Sequence, residues 1–207
     1  KPKLMDVLDN YKKVWKNQPE SPSKLSAFQI YKLAQSKSSS IVKWIFIIGI
    51  LEFIVLNSLY FFVDMEASYE EYKKLGLESF VYYSQVIAYL IIFYFLGMFY
   101  LNYKKISASD STKVLMKKII KTRKTVRNYV LFNLGYMALV MFIVIVAEIN
   151  FNFNDLSSKQ IVMVSLLSVL ITFILLGVLW LFYQLLYGFL LKKLKRNYKV
   201  LAKLDDN

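Results

Sequence analysis

The sequence contains no cysteine and no histidine, and only three prolines and six glycines among its 207 residues. The absence of cysteine excludes disulfides and thiol chemistry. The absence of histidine removes the commonest metal ligand and the commonest general base near neutral pH. Nucleophile-elbow, P-loop and zinc-protease motifs are also missing. We therefore expect a protein that is not an enzyme and that holds neither a metal nor a cofactor.

The chain is rich instead in long apolar runs, and 57% of its residues are hydrophobic. The first run, residues 41–63, has Lys43 and Glu52 as its only charged side chains. As a helix it would rise roughly 34 Å, enough to cross a bilayer core about 30 Å thick. Similar runs occupy about 80–103, 128–147 and 161–191. The pattern predicts an all-α integral membrane protein, a four-helix transmembrane bundle.

Polar segments at both ends of the chain also have helical patterns. Residues 1–40 predict amphipathic helices, with a capping box at Ser26 and Gln29 starting the second one. The three serines at 38–40 fit either a break or a polar turn of continuous helix. From the end of the fourth span through the tail, 192–207, apolar residues follow roughly a heptad spacing, which predicts one long helix projecting from the membrane. That seam consists of Leu190, Leu194, Tyr198 (or Asn197), Leu201 and Leu204.

The net charge of +13 is unevenly distributed. Nine Lys lie in residues 1–43, nine Lys or Arg in the loop 104–127 and six in the C-terminal tail. The other two connections hold three Lys between them and are the more acidic ones. Because basic segments stay in the cytoplasm, we expect both termini and the loop 104–127 there. The two acidic connections, with the paired acids Glu70 and Glu71 in a solvated loop, would lie outside.

Glu52 is the most unusual residue of the spans, because a charged carboxyl at that depth costs about 2.5 kcal/mol or more. It should face protein and find polar partners. Glu52 lies nine residues after Lys43, and counting nine residues into the other spans from Tyr103, Arg127 and Lys192 predicts an intramembrane polar cluster at the same depth. Gly49 and Gly135 would allow close helix approach there. The members of the cluster would be Glu52, Tyr94, Tyr136 and Tyr183 or Gln184. The cluster could fix helix register or be a protonation or transport site, and with no partner base the former is favoured.

A basic surface is expected on the cytoplasmic side. Its expected partners are anionic membrane lipids or an acidic protein, and no direct contact with nucleic acid is expected because no recognised fold supports it. The residues are Lys117, Lys118, Lys121, Arg123, Lys124, Lys192, Lys193, Lys195 and Arg196.

The N-terminal helix, residues 1–19, has one apolar stripe that predicts a partner-binding helix. A protein partner, the membrane surface and the bundle itself all remain possible targets of this stripe. The residues are Leu4, Leu8, Tyr11, Val14 and Trp15.

Four stretches resemble a group of four-span membrane proteins of Bacteroidota. They are Trp15-Lys16-Asn17-Gln18-Pro19 with Ile30-Tyr31-Lys32 and Ser38-Ser39-Ser40-Ile41-Val42-Lys43-Trp44, and the tail Leu190-Leu191-Lys192-Lys193-Leu194-Lys195-Arg196-Asn197-Tyr198. Members of that group tend to be encoded beside extracytoplasmic-function sigma factors. The resemblance implies an anti-sigma factor of the bacterial inner membrane, which holds a sigma factor on the cytoplasmic side.

The chain departs from common anti-sigma factors in two ways. It lacks their zinc-binding His/Cys pattern and their long periplasmic sensor domain. Sensing would then pass through the bundle or through further membrane subunits. Some proteins of the group are labelled carotene oxygenases, which hold iron with histidines, and this chain has none. The alternative functions are a transporter or channel subunit that uses Glu52, and a structural subunit of a membrane complex.

Overall fold

A computed structural model describes residues 26–153 and 155–205. The predicted helix at 1–19, with its apolar stripe, lies outside the described residues. All the long elements within them are helices. The helices are α1 (Ala27–Ser58), α2 (Met65–Lys74), α3 (Glu78–Ser107), α4 (Thr112–Phe151), α5 (Ser158–Tyr183) and α6 (Phe189–Asp205). A 3-10 turn (Leu59–Phe62) ends α1, and a π-helical turn (Gln184–Gly188) joins α5 to α6.

Four continuous helical segments are long and apolar enough to cross a membrane, which confirms the predicted fold. They run from Ala27 to Phe62, Glu78 to Ser107, Thr112 to Phe151 and Ser158 to Asp205. The 40 residues of α4 rise about 60 Å, twice the thickness of a bilayer core. The helices therefore project well beyond the membrane.

Local signals in the sequence define the helix ends. The predicted capping box is present. The Ser26 hydroxyl accepts a hydrogen bond from the backbone N–H of Gln29, and the side-chain carbonyl of Gln29 accepts one from the backbone N–H of Ser26. The serines at 38–40 do not break α1. The acidic connection after the first span is not a loop, because Asp64 caps the ten-residue helix α2. Gly76, with φ of 69°, then makes the turn into α3.

The two ends of the bundle differ in charge, and we name them accordingly. The basic end holds the start of α1, the α3–α4 connection and α6. The acidic end holds α2 and the connection between α4 and α5. Four helices meet at the basic end, where α6 packs against both α1 and α4. Towards the acidic end, α1 packs along α3 and α5 packs along α4.

The tightly packed core lies on the basic side of the bundle. Most of the buried residues of α1, α3, α4 and α6 lie between the basic end and Glu52. Beyond Glu52, most large apolar side chains are exposed, as expected for helices that face lipid. The fully buried aliphatic residues are Val42, Ile45, Ile106, Leu115, Ile119, Val126, Leu194 and Leu201.

Replacing Leu194 by Ala should destabilise the protein by about 2–5 kcal/mol, because the side chain is fully buried and its loss leaves a cavity. The matched control is Leu185→Ala, at a position that is 79% exposed. Denaturant unfolding in detergent micelles measures both free energies. Equal losses in the two variants would contradict a core confined to the basic side.

Candidate functional site

The carboxyl group of Glu52 joins three helices within the bundle. Glu52 lies on α1 and is only 5% exposed. Its Oε1 accepts hydrogen bonds from the hydroxyls of Tyr129 on α4, at 3.0 Å, and Tyr183 on α5, at 2.8 Å. Its Oε2 accepts one from Tyr187 in the π-helical turn, at 2.7 Å. We call these four residues the tyrosine layer.

The tyrosine rings form a compact wall around the carboxyl group. Tyr183 and Tyr187 stack with their centroids 6.2 Å apart and their planes 23° from parallel. The Tyr129 ring meets both edge-on, at 6.2 and 6.0 Å. Phe99 of α3 completes the wall, with its centroid 5.4 Å from that of Tyr129. The carboxyl group therefore lies inside protein, as the sequence predicts.

Gly49, one turn before Glu52, allows α1 and α3 to approach closely at this level. A Cβ atom at Gly49 would lie 2.9 Å from Cδ2 of Leu96. Gly135 was expected to act in the same way, but nothing lies within 4 Å of the position its Cβ would take. Only the first of the two predicted glycines lies at a close helix contact.

Side-chain hydrogen bonds also tie the helices together at the basic end. The Tyr31 hydroxyl donates to the carbonyl of Ser109 at 2.5 Å, and the Gln35 amide donates to the same oxygen at 2.7 Å. The Asn197 amide of α6 donates to the Ser38 hydroxyl of α1 at 3.0 Å. These contacts fix the extension of α1 against the other helices.

The predicted basic surface forms at this end. All nine of its residues lie on α4 or α6, and most are exposed. The Lys118 ammonium donates to the carbonyl of Lys105 at 2.7 Å. The Lys193 ammonium lies 4.2 Å from the centre of the Phe189 ring, a cation–π contact.

Comparison with known protein families identifies a match over residues 28–206. The chain belongs to the DUF8845 family, a domain of unknown function. No curated protein and no solved structure matches it. The DUF8845 region covers all four spans and α6, whereas the predicted N-terminal stripe precedes it. The family therefore identifies the bundle but assigns no activity to it.

The predicted polar cluster of this DUF8845 chain was only partly right. Tyr183 does contact Glu52, whereas Tyr94 is 63% exposed and Tyr136 lies 3.4 Å from the Ser84 hydroxyl instead. Gln184 points away, folding over Gly188. Tyr94 failed because it lies on an exposed face of α3. Tyr136 failed because the count took Arg127 to lie as deep as Lys43. Since Tyr129 reaches Glu52 and lies only two residues after Arg127, Glu52 is close to the depth of Arg127.

Two members of the tyrosine layer, Tyr129 and Tyr187, were missed. Tyr187 follows Tyr183 by four residues and so shares its helix face, which is a signal that the sequence contains. Tyr129 precedes Tyr136 by seven residues, two helical turns on the same face. A search along each face over two turns would have found both.

Removing one hydroxyl from the tyrosine layer, as in Tyr129→Phe or Tyr187→Phe, should cost about 1–3 kcal/mol of unfolding free energy. The reason is that a buried carboxyl group loses a hydrogen bond. Tyr94→Phe is the matched control and should change stability little, because that residue is exposed. Unfolding in detergent micelles again provides the measurement. A larger loss in Tyr94→Phe than in the two layer variants would contradict this site.

Proposed function

We propose that the chain is a non-enzymatic regulator of the bacterial inner membrane that holds a protein on the cytoplasmic side. The partner we propose, from the resemblance described above, is a sigma factor. The N-terminal segment would make the main contact. In this arrangement the basic end of the bundle faces the cytoplasm and the acidic end faces outward.

The observation that carries this proposal is an exposed apolar surface at the tip of α1. Phe28 is 67% exposed and Leu33 is 44% exposed, and with Gln29 and Lys32 they line a shallow depression. Phe28 lies 15 residues before Lys43, about 22 Å along a helix, and so well outside the bilayer. Apolar side chains exposed to water in one patch are typical of protein contacts.

The rigidity of α1 supports the same proposal. The helix is continuous from the first span to Ala27, and the hydrogen bonds of Tyr31, Gln35 and Ser38 hold it against the rest of the bundle. The preceding residues, which include the predicted stripe with Trp15, are thus attached to a fixed platform. The surrounding lysines favour a partner with an acidic surface.

The geometry of Glu52 favours the regulator over a transporter or channel. Transport through Glu52 requires water or substrate to reach its carboxyl group. Three tyrosine hydroxyls already occupy both carboxyl oxygens, and the residue is buried. A structural role of the carboxyl group in joining helices accounts for all three contacts.

Single-cysteine labelling tests the orientation, and the natural chain contains no cysteine that would give background. A membrane-impermeant maleimide should label Glu70→Cys in cells with a permeable outer envelope. It should label Lys117→Cys only after the inner membrane is lysed, because the basic loop stays inside. The opposite pattern would place the basic end outside and remove the proposed contact with a cytoplasmic partner.

Purification of the full chain from native membranes, with bound proteins identified by mass spectrometry, tests the partner. A sigma factor should be recovered with the natural chain and reduced about tenfold or more in Trp15→Ala and in Phe28→Ala, as for truncation of a central aromatic contact. Phe173→Ala, at an exposed position of α5, is the matched control. Undiminished recovery in Trp15→Ala would show that the proposed anchor is wrong.

A further inference from the structure

A groove lies between α4 and the junction of α5 with α6, on the outer side of the tyrosine layer. It has a volume of about 390 Å³. Arg123 and Arg127 line one end of it. Leu131, Leu134 and Trp180 line the other end. The groove thus has a cationic end and an apolar end.

The cationic and apolar ends of the groove follow from the order of residues along one face of α4. Arg123, Arg127, Val130 and Leu134 are spaced i, i+4, i+7 and i+11, which places them in one stripe along the helix. The arginines come first in the chain and therefore lie nearer the basic end. A phospholipid of the nearer leaflet has the same order, with its phosphate towards that end and its acyl chains towards the membrane centre.

The arginine end lacks a counter-ion among the described residues. Neither Arg123 nor Arg127 forms an ion pair with a described carboxylate. The Nε of Arg123 is buried and has no hydrogen-bond partner in the described part of the chain. A guanidinium is always charged and presents its N–H groups as a fork that fits phosphate oxygens. The two guanidinium groups that line the groove are therefore not neutralised by any described carboxylate.

The π-helical turn shapes the third side of the groove. Such turns are rare and occur often at functional sites. Gly188 allows the side chain of Gln184 to fold across the helix, since a Cβ there would lie 2.8 Å from the Gln184 carboxamide carbon. Gln184 lines the groove, so its amide adds a neutral donor beside the arginines.

The depth of the groove favours a lipid over a soluble anion. Arg127 lies two residues before Tyr129 of the tyrosine layer, and charged residues on α6 begin at Lys192, one turn after Gly188. The arginines thus lie between the tyrosine layer and the charged basic end, and the exposed Leu131 and Trp180 lie on the side of the membrane centre. We propose that this groove binds one anionic phospholipid, with its phosphate on Arg123 and Arg127 and an acyl chain along Leu131 and Leu134.

Native mass spectrometry of the full chain tests the proposal. The protein is reconstituted in nanodiscs of equal parts phosphatidylglycerol and phosphatidylethanolamine and then released stepwise from its lipids. The natural chain should retain one phosphatidylglycerol under conditions that remove the others. Retention of the two lipids in equal proportion would overturn the proposal, and this measurement needs no variant.

A double variant, Arg123→Gln with Arg127→Gln, should weaken retention of that lipid by about tenfold or more, because both phosphate contacts are lost. The control is Lys117→Gln with Lys121→Gln, which removes the same charge from a different face of the same helix. Equal weakening in the two double variants would show that the basic end attracts lipid through its overall charge, and the groove would not be a site.

A third arm separates a lipid from a free phosphate ion. Delipidated protein in neutral detergent receives either phosphatidylglycerol or inorganic phosphate, and the shift in melting temperature is compared. We expect a shift with the lipid and none with the ion at the same concentration. An equal shift with inorganic phosphate would overturn the lipid assignment.

Discussion

The bundle depends on a carboxyl group that three helices share. Between apolar helices in lipid there is no hydrophobic force to drive association, because acyl chains are as apolar as leucine. Specific polar contacts and close packing must hold the helices together instead. Glu52 of α1 draws Tyr129 of α4 and Tyr183 and Tyr187 of the last span to one point. Gly49 allows α3 to approach α1 at the same level, where Leu96 packs against the Gly49 backbone.

The tyrosine layer also marks a change in what stabilises the protein. On its basic side the helices extend past the membrane into water, where burial of Leu194, Leu201 and Leu115 contributes the usual hydrophobic free energy. On its acidic side the helices divide into two pairs, α1 with α3 and α4 with α5, and most apolar side chains face lipid. The well-packed body of this membrane protein is thus its extension outside the bilayer and the adjoining half of the spans.

Features that depend on neighbouring residues could be predicted from the sequence. The four spans follow from the length and polarity of each apolar run, and the cap at Ser26 follows from its spacing to Gln29. The partners of Glu52 depend on how deep each helix lies in the membrane relative to the others. The sequence of a single apolar run does not give that relative depth. Tyr183 was found by counting back from Lys192, whereas Tyr129 was missed because Arg127 does not mark the same depth as Lys43. The short helix α2 was missed because its acidic composition resembles a solvated loop.

The tyrosine layer and the groove on its outer side share two residues. Tyr183 and Tyr187 line the groove, and their hydroxyls hold Glu52. A group that enters the groove therefore contacts the same side chains that join the helices. The arginines of the groove also lie on α4, the helix that supplies Tyr129 and runs on to the basic end. A lipid bound as proposed would therefore contact side chains that also hold the helices together, and Arg127 of the groove lies only two residues from Tyr129.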